Sequence, residues 1–195
     1  MKLEPILRET ALKKFKALVA VLATVSLSSC TVPGWMSLGD AQSGEVLMPG
    51  ETAALQFFTN IPNFDTEVGL QASSQYELKI NLLSNWVDST IAKNEKGQSL
   101  DQYGFADSVM PLQAVSLLKR SREHNWFELM LLQANCKRSS LVGISDLTFD
   151  EASGSYNFVA TCDGKLTLFV NDSYGFYGNN SGFASISLSR VKRSL

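Results

Sequence analysis

The sequence is poor in the residues that most enzymes and metal sites depend on. Of 195 residues only one is histidine, three are cysteine and five are proline, and charged side chains make up 18%. A single histidine excludes histidine-rich zinc sites and leaves a Ser-His-Asp arrangement one possible base, His124. Basic and acidic residues nearly balance, 17 against 19, and no basic block is long enough to track a phosphate backbone, which excludes nucleic acid as the expected partner. What is present is apolar: 45% of the residues are hydrophobic, enough for one domain to bury a core without a metal to organise it. The odd cysteine count is the feature that needs an explanation.

The first thirty residues supply part of it. Lys13, Lys14 and Lys16 precede the uncharged run from Ala17 to Ser29, and Cys30 follows. The run falls short of the ~20 apolar residues that span a bilayer and fits the apolar region of a secretory signal. The order Leu27, Ser28, Ser29, Cys30 resembles the bacterial lipoprotein signal, in which small residues admit the chain to a peptidase and the cysteine thiol receives the lipid. The long leader, with Glu4 and Glu9, departs from that pattern, and an ordinary signal peptide is the alternative. The resemblance implies a signal peptide over 1–29, acylation at Cys30, a tether over 30–52 and a domain over 53–195. Thr31 is not the aspartate that retains such proteins in the inner membrane, so the resemblance implies an outer-membrane anchor in the bacterial envelope. Cys136 and Cys162 then remain for an oxidising compartment, and a disulfide between them would close a loop of ~27 residues.

Beyond the tether, rich in Gly and Pro, the pattern is β. Strands are expected over 54–59, 76–83, 111–118, 126–134, 155–161, 165–171 and 182–189. Alternation is strict in places: Ala184, Ile186 and Leu188 interleave with Phe183, Ser185, Ser187 and Ser189, and Leu166, Leu168 and Val170 face one way. Short strands joined by turns such as IPNF, DEASGS and CDGK predict an all-β fold, an antiparallel β-sandwich or jelly roll. Residues 110–122 also admit an amphipathic helix, with Pro111 at its first turn.

The stretch that carries chemistry is the loop NDSYGFYGNNSG, Asn171 to Gly182, between two alternating strands. It holds one carboxylate, three asparagine amides and three glycines, a supply of hard oxygens suited to calcium, which takes six to eight oxygen ligands at ~2.3–2.6 Å. On composition alone such a loop also serves as a plain hairpin connection. The order of its residues, however, is similar to the signature loop of the bacterial galactophilic calcium lectins, small galactose-binding-like β-sandwich proteins. A weaker likeness begins near Asn85, with Trp86, Asp88, Ser89 and Thr90, then Lys96-Gly97-Gln98, and a central strand at MPLQAVSLL. The resemblance implies calcium (Ca2+) held by Asp172, Asn179 and Asn180 through their side chains and by the Phe176 carbonyl. It implies sugar contacts from Asp172, Ser173 and Asn179, and a further carbonyl from 104–108. The histidine and glutamine that recognise the sugar in that family have no counterpart, so galactose itself is not implied.

The remaining candidates carry less. No GxSxG accompanies His124, Asp146 and Asp150 have no pattern tying them to glycoside hydrolysis, and Trp86 and Trp126 suit either a core or a sugar platform. Lys119, Arg120 and Arg122 read as a solvated strand end, and the sequons at Asn171 and Asn179 imply no glycan in a bacterial lipoprotein. The expected function is therefore binding without turnover: a lipid-anchored envelope protein with a calcium-dependent, lectin-like carbohydrate-binding domain. The alternative is a structural or protein-interaction module of the envelope that needs neither metal nor sugar.

Overall fold

A computed structural model describes residues 44–192; Cys30, the leader over 1–29 and most of the tether lie outside the described residues. The described part belongs to the unit Gly34–Leu195 and is all-β. Its strands are β1 (Glu45–Val46), β2 (Thr52–Phe58), β3 (Phe64–Leu70), β4 (Gln75–Leu82), β5 (Val87–Asp88), β6 (Leu129–Gln133), β7 (Val142–Gly143), β8 (Thr148–Asp150), β9 (Ser155–Val159), β10 (Gly164–Val170), β11 (Asn180–Ser181) and β12 (Phe183–Arg190). Two five-stranded sheets form the sandwich, ordered β1-β3-β10-β6-β7 and β2-β12-β4-β9-β8, and a two-stranded ribbon pairs β11 with β5. Pairing is antiparallel throughout except for the short edge strand β1 against β3.

Alternation decides which side chains enter the core. Along β12, Ala184, Ile186 and Leu188 are buried while Phe183, Ser185 and Ser187 are half-buried. Strand β10 is central in its sheet and buried from Leu166 to Val170 on both faces, so a pure alternation no longer describes its exposure. Trp86 and Trp126 are core residues, fully enclosed, with Trp86 packed against Phe57 and Phe127. Cys136 and Cys162 are disulfide-bonded and tie the turn after β6 to the start of β10.

Beyond the unexpected short strands β1, β5, β7, β8 and β11, the fold departs from the sequence expectation most clearly at two segments and at the basic cluster after them. Residues 64–70 form β3 although no strand was expected there. Residues 111–118 form no strand: Gln113–Leu118 is a 3-10 helix, and the central positions of the sheet belong to β10 and β6. Pro111 offers no N–H to a ladder, and Leu112, Leu117 and Leu118 lie exposed, whereas a strand at the sheet centre would have buried them. In the basic cluster that follows, Arg122 is solvated as expected but Lys119 and Arg120 are not. Lys119 is buried, its ammonium donating to Asp107 Oδ1 at 2.8 Å and to the His124 carbonyl at 2.7 Å.

Candidate functional site

The loop from Asn171 to Gly182 leaves the sandwich at the end of β10 and returns at β12, and its two ends are fixed by different means. Asn171 is fully buried and bonds on all sides: its Oδ1 accepts the Ser121 N–H at 2.9 Å, and its Nδ2 donates to the carbonyls of Ser121 and Asn125 at 2.8 Å each. Gly182 has φ +129°, and a Cβ there would approach Trp86 Cδ1 to 2.6 Å, so only glycine allows the chain to pass over the indole. Gly175 and Gly178 are different. Neither has φ in the left-handed region, and a Cβ at either would meet nothing, so neither position requires glycine.

Arg120 clamps the loop from behind. Its guanidinium lies 3.4 Å from the centre of the Phe169 ring and donates to the Pro62 carbonyl, to Asn63 Oδ1 at 2.9 Å and to Tyr177 OH at 3.0 Å. Tyr177 in turn donates to the Val170 carbonyl, and burial pushes its phenol far above the usual range. One side chain thus joins the 62–63 turn, β10 and the loop.

Of the residues expected to hold a cation, the structure brings two side chains together inside the protein. Asp172 is 2% exposed and Asn180 6%. Asp172 Oδ2 accepts from Asn180 Nδ2 at 3.0 Å, and Oδ1 accepts the Ser173 N–H at 2.6 Å. Burial raises the Asp172 pKa, offset in part by these two donors and by the Arg120 charge. Asn180 Oδ1 is buried with no hydrogen-bond partner. A carbonyl oxygen in that position costs stability unless a cation or a donor meets it. Ser173 is buried beside Asp172, its hydroxyl donating to the Leu118 carbonyl at 3.1 Å. Asn179 is exposed and Phe176 lies at the surface, its carbonyl accepting the Asn179 N–H at 3.1 Å inside a 3-10 turn.

Asp88 joins this group, a residue that no sequence reading placed at the site. The β5–β11 ribbon pairs Asp88 with Asn180, and the Ser89 N–H donates to the Asn179 carbonyl at 3.2 Å from a left-handed backbone, φ 55°. Asp88 is 5% exposed, and burial, with the charge of Asp172 as a second cause, pushes its carboxyl up to about 7. The expected contribution from 104–108 is not made: Gly104 turns back onto Asp101, and Phe105 pairs with Trp126. The segment after Trp86 takes that place beside the loop.

His124 forms a second polar cluster on the far side of Asn171. Its Nδ1 meets Ser121 Oγ at 2.6 Å and its Nε2 meets Asp146 Oδ2 at 2.7 Å. The order resembles a nucleophile, base and orienting acid; Ser121 itself is buried, and its N–H donates to Asn171. The cluster fixes the 121–125 segment on which Asn171 rests. Asp150 takes no part and caps its own turn.

No protein-family profile matches the chain, and no curated protein does. Among solved structures, one described as "EclA N-terminal domain; PllA-like lectin" is similar at 14% identity, covering 70% of this chain and 94% of that one, with a TM-score of 0.44.

Proposed function

We propose that the Asn171–Gly182 loop is a calcium site and that the domain binds a glycan, or another polyhydroxylated component of the envelope, through the bound ion, without turning it over. The observation that carries this reading is Asn180 Oδ1: it is buried without a partner, next to the buried carboxylate of Asp172. Oxygen is all that the group offers, and carboxylate and amide oxygens are the ligands a hard divalent cation takes. Asp172 and Asn180 would hold calcium by their side chains, with Asn179 and the Phe176 carbonyl supplied from the exposed rim. The bound ion supplies a positive charge toward which two vicinal hydroxyls can turn. Asp172, Ser173 and Asn179 are the residues placed to meet the sugar in this reading.

The same proposal includes the anchor. Cys30 would carry lipid after removal of 1–29, the protein would face the periplasm or the surface from the outer membrane, and the spacer would end before β1, because 45–46 pair with β3 and Leu47 is buried in the core, shortening the tether expected over 30–52. Incorporation of labelled fatty acid that is lost in Cys30→Ser tests the anchor. A glycan array probed in calcium and then in chelator tests binding: calcium-dependent spots support the lectin reading, and signals that ignore calcium refute it.

A second reading, a protein-interaction module, has one observation in its favour. Leu112, Leu117 and Leu118 stand exposed, as do Tyr174 and Phe176, and the Ser173–Leu118 hydrogen bond ties the two segments together.

A further inference from the structure

Buried carboxylates in this protein fall into two kinds. Glu128 is 1% exposed and fully provided for: it accepts from the Asn125 N–H at 3.0 Å, the Ser145 N–H at 2.9 Å and the Ser145 hydroxyl at 2.6 Å. Asp88 is 5% exposed, and its carboxylate receives no hydrogen bond among the described residues. Its burial and the charge of Asp172 beside it both make the ionised carboxylate costly without a cation.

The position of Asp88 shows what it faces. Asp88 and Asn180 are directly opposed in the antiparallel β5–β11 ribbon, and opposed residues put their side chains on one face with Cβ atoms ~4.5–5.5 Å apart. Asn180 is the residue whose amide touches Asp172 and whose Oδ1 has no partner. Asp88, Asn180 and Asp172 therefore converge from two chain segments, with three oxygen-bearing groups and one donor between them. Among the described residues no lysine or arginine bonds to either aspartate.

We propose that Asp88 is a ligand of the cation held by Asp172 and Asn180, so that the site carries two carboxylates, one from β5 and one from the loop. The inference rests on the calcium reading above and adds to it a residue and a charge. A divalent ion bound there neutralises both aspartates and ties β5 to the loop across the ribbon. Ligand charge count is one of the determinants of calcium affinity, so this second carboxylate strengthens the site. It also favours trivalent ions such as terbium.

The test is calorimetric titration of the intact protein with calcium, and luminescence titration with terbium, for the wild type, Asp88→Asn and Asp172→Asn. The expected result is a wild type that binds one ion, with both variants weaker by tenfold or more and Asp88→Asn melting in chelator no lower than the wild type. A wild type that binds calcium and an Asp88→Asn variant that binds it equally well overturns the role of Asp88 while leaving the site. A wild type that binds neither ion overturns the calcium reading and this inference with it. If Asp88→Asn does not fold, the wild-type carboxyl 13C resonances decide: calcium must shift those of Asp88 and Asp172 together, and a shift at Asp172 alone refutes the assignment.

Discussion

Asn180 donates from Nδ2 to Asp172 at 3.0 Å while its own Oδ1, equally buried, meets nothing. One amide therefore both holds Asp172 in place and presents a buried oxygen open to a further ligand. Asp172→Ala removes the carboxylate and leaves the amide nitrogen only its longer bond to the Thr59 carbonyl at 3.4 Å. Any calcium-induced rise in melting temperature should disappear, and scanning fluorimetry in calcium and in chelator reads it directly. A variant that retains the full calcium shift contradicts the assignment.

The metal-free protein should lose stability as pH rises through the weakly acidic range. Asp88 has its carboxyl pushed from 3.8 to about 7 by burial and by Asp172, so between those values the folded state holds a proton that the unfolded state has released. The native state then binds more protons, and stability falls with rising pH, by an amount on the order of a few kcal/mol across the interval. Melting curves in chelator from pH 4 to 7.5 should show the decline, and Asp88→Asn should flatten it. An unchanged slope in the variant assigns the titration elsewhere.

Arg120 is a positioning residue for the loop. Arg120→Met keeps the apolar stem over Phe169 but strips Asn63 and Tyr177 of their donor, at roughly 1–3 kcal/mol for each buried group left unpartnered. A fall of several degrees in melting temperature is expected, with weaker cation binding as the loop loosens.

Two glycine substitutions separate fold from composition. Gly182→Ala forces a Cβ toward Trp86 at a φ that L-residues rarely adopt, and should destabilise by more than ~1 kcal/mol. Gly178→Ala, in open space at an ordinary φ, should stay within ~0.5 kcal/mol of the wild type. Denaturant midpoints measured at equal m-value distinguish the two.

The disulfide between Cys136 and Cys162, 26 positions apart, restricts the unfolded chain by roughly 3–4 kcal/mol in the loop-entropy account. Cys136→Ser/Cys162→Ser should unfold at a correspondingly lower denaturant concentration while the calcium shift persists, because the bond lies away from the loop.

Much of the fold was legible where one face is buried and the other solvated. Strand β12 announces itself by the alternation of Ala184, Ile186 and Leu188 with serines. Strand β3 carries the same signal, Phe64, Thr66, Val68 and Leu70 against Asp65, Glu67 and Gly69, but its charges and glycine read as turn composition. The run at 111–118 misled because apolar residues close together suit a buried strand or a surface turn equally, and here Leu112, Leu117 and Leu118 point outward. Asp172 and Asn180 were legible from the order of residues in one loop. Asp88 was not, because its meaning comes from pairing with Asn180, and a ribbon between segments far apart in sequence leaves no local trace. Arg120 was hidden for the same reason: a basic residue beside Lys119 and Arg122 reads as surface until the Phe169 ring is placed beneath it.

Whether this group of oxygens binds calcium in the folded state is read from the melting temperature of the metal-free protein titrated with calcium. The expected rise follows RT ln(1 + [L]/Kd), about 2.7 kcal/mol of added stability at a hundredfold excess over Kd, and is lost in Asp172→Ala. A wild-type melting temperature that is the same in calcium and in chelator would contradict calcium binding.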